Sequence, residues 1–249
     1  MVGLRTSKFQ RVLREMTPYR YRDPGIGVIM VMAMFVLAAC SQESGWEASM
    51  TAGRRAADRG DYATAERNYS GAIVKAERFG TEDVRVAQSV SQLAQVYVAQ
   101  GKFGEAEPLY LRALAIYQSA RGTEHMDVAA TLNNLGILHK MHGQYRDAEP
   151  YLTRALVIKE KVLGPGHAEV GLSLHNLALL YVAEERYDQA EPLLRRALAI
   201  REQGAESLDL ARTLEQYAGV LRKQGRSAEA DPLEMRAKEI RARVDNRRS

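Results

Sequence analysis

The 249-residue chain has one cysteine, one tryptophan, four phenylalanines and seven prolines. A single cysteine excludes a disulfide framework. The scarcity of proline excludes a collagenous or proline-rich chain. An apolar content of 46% with 27% charged residues is that of a folded chain rather than a disordered one. The length fits one domain or two small ones. Charge of one sign is also missing from most of the sequence. Residues 1–39 hold Arg5, Lys8, Arg11, Arg14, Arg20 and Arg22 against Glu15 and Asp23, which accounts for the whole net charge of +4. The remainder is electrically balanced, so no field gathers phosphates and no nucleic-acid partner is expected.

What is present begins with an ordered leader. A basic stretch ends at Arg22, and Gly25 to Ala39 then runs without a charge. Fifteen residues at 1.5 Å rise cover about 22 Å, short of a hydrocarbon core of about 30 Å. Basic start, short apolar run and small residues at its end describe a secretory signal rather than a membrane span. The run closes on Leu37-Ala38-Ala39-Cys40. This resembles the lipobox of bacterial lipoproteins. The resemblance implies cleavage after Ala39 and lipid on Cys40, with 1–39 as signal peptide and 40–45 as a short tether. Several acyl chains at ~0.8 kcal/mol per buried CH₂ would hold the protein on a bilayer. By the sorting habit of such lipoproteins Ser41 favours the outer membrane, with a periplasm-facing protein; Glu43 argues the other way, towards the inner membrane. Translation starts at Met1 or at Met16, which would leave Arg20 and Arg22 as the charged start.

The rest repeats. Glu105-Ala-Glu-Pro-Leu-Tyr-Leu-Arg-Ala-Leu-Ala-Ile116 returns from Asp147 and again from Gln189, each 42 residues on, with weaker copies from Thr64 and Glu229. Gly80, Gly122 and Gly164 keep the same period. Within a copy Leu132, Leu135 and Leu138 share a helical stripe, as do Leu174, Leu177 and Leu180. Gly101 and Gly143 break the chain through a left-handed cap. A second stripe follows in Ala148, Leu152, Ala155 and Leu156. Pro108, Pro150, Pro192 and Pro232 mark the beginnings of the second helices, where a missing N–H costs little.

Two helices in each of five copies, spaced by 41, 42, 42 and 40 residues, resemble the 42-residue tetratricopeptide repeat of the kinesin-light-chain-like type, over residues 46–244. The resemblance implies an all-α solenoid of about five antiparallel helix pairs. Ala94, Gly136, Ala178 and Ala218 would lie where paired helices touch. Ala106, Ala148, Ala190 and Ala230, with Ala113, Ala155, Ala197 and Ala237, would lie between repeats. Departures are expected at the ends. The first copy carries Ala52, Gly53 and Ala56 where others have larger residues. The last replaces a core position by Glu234, which with Lys238 and Arg241 reads as a wet cap. Residues 245–249 form a basic tail.

In that architecture the first helices line a concave groove. Two adjacent columns keep the repeat spacing there: Ser91-Gln92, Asn133-Asn134, His175-Asn176 and Glu215-Gln216. One turn further lie Gln95, Ile137 and Leu179. Side-chain amides donate and accept together, which suits the backbone of an extended peptide. The resemblance assigns that use to Asn133, Asn134 and Asn176. A solvated ladder bonded across repeats is the alternative. His175 reads as a polar groove residue or as a group titrating near neutrality. His139 and His142 share a helical face, but His139 sits in the packing slot of Tyr97 and Tyr181, and no carboxylate or cysteine completes a zinc set. No phosphate loop or nucleophile elbow occurs. Neither metal, cofactor nor small-molecule substrate is therefore expected. The expectation is a membrane-anchored scaffold or assembly adaptor binding peptide segments of envelope proteins. Its rivals are a cytoplasmic adaptor with an unprocessed leader, and an envelope hydrolase with an atypical site.

Overall fold

A computed structural model describes residues 42–246. The predicted signal peptide, Ala39 and Cys40 lie outside the described residues, as do 247–249. Ten helices and no strand occur among the described residues. They are α1 (42–58), α2 (Tyr62–Ala76), α3 (Val84–Ala99), α4 (Phe103–Arg121), α5 (Met126–Met141), α6 (Tyr145–Leu163), α7 (Ala168–Ala183), α8 (Tyr187–Arg201), α9 (Leu208–Lys223) and α10 (Ser227–Asn246). Residues 42–45, expected as a tether, are already helical, and 245–246 belong to α10 rather than to a tail. No described helix is long and apolar enough to cross a membrane.

From residue 49 onward the helices form one unit in which each packs mainly on its neighbours in the chain. The pairs are α1–α2, α3–α4, α5–α6, α7–α8 and α9–α10. Small residues set their spacing. Ala94, Ala178 and Ala218 are fully buried, and so are the eight alanines expected between repeats. Gly53, expected as a departure, is instead in register with this column, because a Cβ there would lie 2.7 Å from the Tyr69 ring. Tyr69, Leu152 and Leu194 fill the space opposite the small residues.

Each pair turns through a left-handed residue, at Gly60, Gly101, Gly143 and Gly225, with φ between 74° and 79°. Glu185 takes the fourth of these five turns at φ 59°, a conformation that disfavours a side chain. The prolines do not stand in the first helical turn. Pro108 is the sixth residue of α4 and Pro150 of α6, so each removes one backbone hydrogen bond in the second turn. The first helices start on side-chain caps that recur at the repeat spacing. Asp83, His125, His167 and Ser207 accept from backbone N–H groups two or three residues on.

The last pair ends as the sequence suggests, in charge. Arg222 bonds Glu234 at 2.7 Å and Asp231 at 2.7 Å, and Lys238 is exposed.

Candidate functional site

The first helices α3, α5, α7 and α9 lie side by side, and their shared outer face is the candidate interaction surface. A helix shows solvent one stripe at spacings of three and four. On α5 that stripe is Ala130, Asn134, Ile137 and Met141; on α7 it is Leu172, Asn176 and Leu179; on α9 it is Arg212, Gln216 and Gly219. On α3 it is represented by Gln92 and Gln95.

The two predicted columns therefore separate. Gln92, Asn134, Asn176 and Gln216 are half-buried at the face, as are Ile137 and Leu179, and Gln95 is exposed. Ser91, Asn133 and His175 are buried between neighbouring first helices instead of opening outward. The rotation of each pair against the next decides this, and periodicity within one helix does not report it. Asn176 Nδ2 donates to Asn133 Oδ1 at 3.0 Å, joining α7 to α5. His175 Nδ1 lies 3.4 Å from Thr213 Oγ1 on α9. Glu215 is held by Arg241 of α10 through contacts of 2.6 and 2.7 Å, and that guanidinium lowers the pKa of its carboxyl. Gln92 accepts from Tyr69 Oη at 3.3 Å.

Amide capacity remains at the face. The side-chain amide of Asn134 has no hydrogen-bond partner among the described residues, and Asn176 retains its carbonyl oxygen after bonding Asn133. Around these amides the surface is apolar. Met141 is 53% and Leu172 39% exposed, a state that large apolar side chains adopt when nothing in the chain covers them. The sequence reading missed both, together with Arg212. They stand four residues from Ile137, Asn176 and Gln216 on the same stripes, so extending each stripe by one turn finds them.

His175 does not titrate near neutrality. Burial, and then the positive charges of Arg201, Arg212 and Lys140, push it down to about 4, so it is neutral at physiological pH. The ammonium of Lys140 is also pushed down by burial. His139 and His142 face different neighbours: the first stacks on Tyr151 with ring centroids 5.4 Å apart, the second lies 5.4 Å from Phe103. Among the described residues no group of three or more His, Cys, Asp or Glu is placed to hold a metal ion.

A cavity of about 450 Å³ opens between α7, the end of α8 and the loop to α9, lined by Leu172, Ile200, Arg201, Gly204 and Asp209 among others. α8, which ends beside it, has 15 residues where α4 and α6 have 19. Arg201 there bonds Thr213 Oγ1 and the Asp209 carbonyl, both at 2.5 Å.

Comparison with known proteins gives these features a family. A model described as "Tetratricopeptide repeat" matches residues 53–119, 85–161, 148–203 and 172–243. Among solved structures, BtubC (BKLC) from P. vanneervenii is 29% identical, with 80% of each chain covered and a TM-score of 0.74. A putative kinesin light chain with nearly identical TPR-like repeats from Podosopora anserina is 24% identical, covering 80% of this chain and 96% of that one, with a TM-score of 0.69. Aspartyl phosphate phosphatase F from Bacillus subtilis shares the fold at 16% identity and a TM-score of 0.72, covering 96% of this chain and 61% of that one. No curated protein matches the chain significantly. Stacked helix pairs of this type generally serve as protein-binding scaffolds rather than catalysts, because they offer an extended surface and no convergence of acid, base and nucleophile. By the extent of the match and by its stacked helix pairs, the chain belongs to the tetratricopeptide repeat family.

Proposed function

We propose that the protein is a lipid-anchored scaffold or assembly adaptor of the bacterial envelope. It binds extended segments of other envelope proteins along the face of α3, α5, α7 and α9. The observation that carries this reading is the pair of half-buried amides, Asn134 and Asn176, set among Ile137, Leu179, Met141 and Leu172. An extended peptide needs donors and acceptors for its backbone and apolar ground for alternate side chains. Both are combined here. Anchoring rests on the sequence Leu37-Ala38-Ala39-Cys40 alone, and the outer membrane on Ser41.

Two experiments separate the parts of this reading. Radiolabelled palmitate is expected to label the wild type and not Cys40→Ala; absent label, or label unchanged in the variant, removes the anchor and leaves the cytoplasmic adaptor. Crosslinking in intact cells identifies bound segments. Asn134→Ala combined with Asn176→Ala is expected to weaken their capture while leaving helical circular dichroism and melting unchanged. Unchanged capture returns the asparagines to a solvated ladder. Turnover of a cell-wall or lipid substrate, lost on one substitution at this face, would replace the scaffold by a hydrolase.

A further inference from the structure

Neighbouring pairs are locked by a repeated contact that the groove does not use. A glutamate of each second helix, Glu66, Glu107, Glu149 and Glu191, reaches the following pair. It meets there the end of the first helix and the turn after it. Tyr97 Oη donates to Glu66 at 3.1 Å, and Lys102 stands 4.0 Å from the same carboxylate. Tyr181 Oη donates to Glu149 at 2.8 Å, and Arg186 pairs with it at 2.7 Å. Arg226 pairs with Glu191 at 2.8 Å. Three joints thus hold a permanent cation against the glutamate.

The joint between the second and third pairs differs at both positions. Gln144 takes the place of Lys102, Arg186 and Arg226, and His139 takes the place of Tyr97 and Tyr181. His139 is 5% exposed and lies flat on Tyr151, at an interplanar angle of 6°. Its Nδ1 is 2.8 Å from Gln144 Oε1. Its Nε2 is buried without a hydrogen bond and faces Glu107 Oε1 at 3.6 Å. With the amide oxygen accepting from Nδ1–H, the neutral ring turns a lone pair toward the carboxylate. The charged ring donates to Gln144 and faces Glu107 as an ion-pair partner at 3.6 Å. Glu107 has no other ion pair among the described residues. The titratable groups that meet the ring are Glu107 from α4 and Tyr151 from α6, with Lys140 and His142 beside it on α5.

We propose that this middle joint is a proton-operated latch: protonation of His139 converts an unfavourable lone-pair contact into an ion pair with Glu107, stiffening the solenoid between its second and third pairs. Imidazole is the side chain whose charge changes near physiological pH, whereas a tyrosine hydroxyl donates to its carboxylate throughout that range. The switch lies on α5, which also carries Asn133 and its bridge to Asn176, so it acts at the centre of the face without belonging to it.

Amide hydrogen exchange on the full chain, divided by intrinsic rates, tests the latch at about pH 7.5 and about pH 5.5, on either side of the ordinary imidazole midpoint. Segments over 103–151 in the wild type are expected to gain about tenfold in protection at the lower pH, the order of effect of one partly buried ion pair at this distance. His139→Tyr and Glu107→Gln are expected to lose that dependence. Gln144→Arg, which supplies the cation of the other joints, is expected to be protected at both values. Protection that is the same at both pH values in the wild type, or a dependence surviving in His139→Tyr, overturns the latch. His175 does not mimic the effect, because it acts with the opposite sign: neutral in the fold, it binds a proton once opening exposes it and so lowers protection at the lower pH.

Discussion

A Cβ placed on Gly136 would sit 2.5 Å from Leu152 Cγ and 2.7 Å from its Cδ2. Leu152 is 1% exposed and packed in the core, so it must shift to admit that Cβ. The two helices of the third pair are therefore spaced by the absence of one methyl group. Gly136→Ala is expected to destabilise the protein by about 1–3 kcal/mol through overpacking, despite alanine's better helix propensity. Urea unfolding followed by circular dichroism measures it; a neutral or stabilising result means that α5 and α6 can part freely.

Glu185 is the exception among the turns within pairs, since its counterparts are Gly60, Gly101, Gly143 and Gly225. A side chain in the left-handed region costs roughly 1 kcal/mol, which glycine avoids. Glu185→Gly is expected to raise stability by about 0.5–1 kcal/mol, read as an upward shift in melting temperature. A fall would show that Glu185 makes a compensating contact.

Lys159 is 3% exposed, and its ammonium bonds Glu169 at 2.8 Å. The pair pins the end of α6 to the start of α7. Glu169→Ala leaves a buried cation without its partner and is expected to cost roughly 1–3 kcal/mol. Lys159→Met combined with Glu169→Ala should recover most of that loss, because an apolar stem of similar length fills the same space. A double variant as unstable as the single one would show that the charge is not the cause.

His175 is pushed from 6.5 down to about 4 in the folded protein. The unfolded chain therefore binds a proton first, and the folded state loses stability as pH falls from about 6.5 towards about 4. The whole contribution is roughly 3 kcal/mol and is fully present above that window. His175→Asn is expected to flatten this part of the stability–pH profile, seen in urea titrations across the range. An unchanged profile would place the acid sensitivity elsewhere.

Much of the solenoid is legible in the sequence. Leu132, Leu135 and Leu138 share a face by helical geometry alone. Alanines repeating at 42 residues betray close axes because only small side chains fit there. The candidate face was legible in part. Asn134, Asn176, Ile137 and Leu179 do lie on it, whereas Ser91, Asn133 and His175 are enclosed. Adjacent residues on a helix differ by about 100° in direction, so a modest rotation between pairs decides which of two columns faces out. The glutamate locks were hidden for a related reason. Glu107 reads as an ordinary surface acid beside a proline until the next hairpin brings His139, held by Gln144, against it.

By itself, then, the sequence determined the hairpin, its period, its small-residue columns and its polar cap, all consequences of local geometry and of which side chains fit at close contact. Only the tertiary structure decided which amides stay open, that His175 is neutral, and that one joint sets an imidazole against its glutamate while the others set a permanent cation against theirs. Those properties depend on the angle and spacing between successive pairs. That angle is set jointly by many packed side chains, and no single repeat carries it.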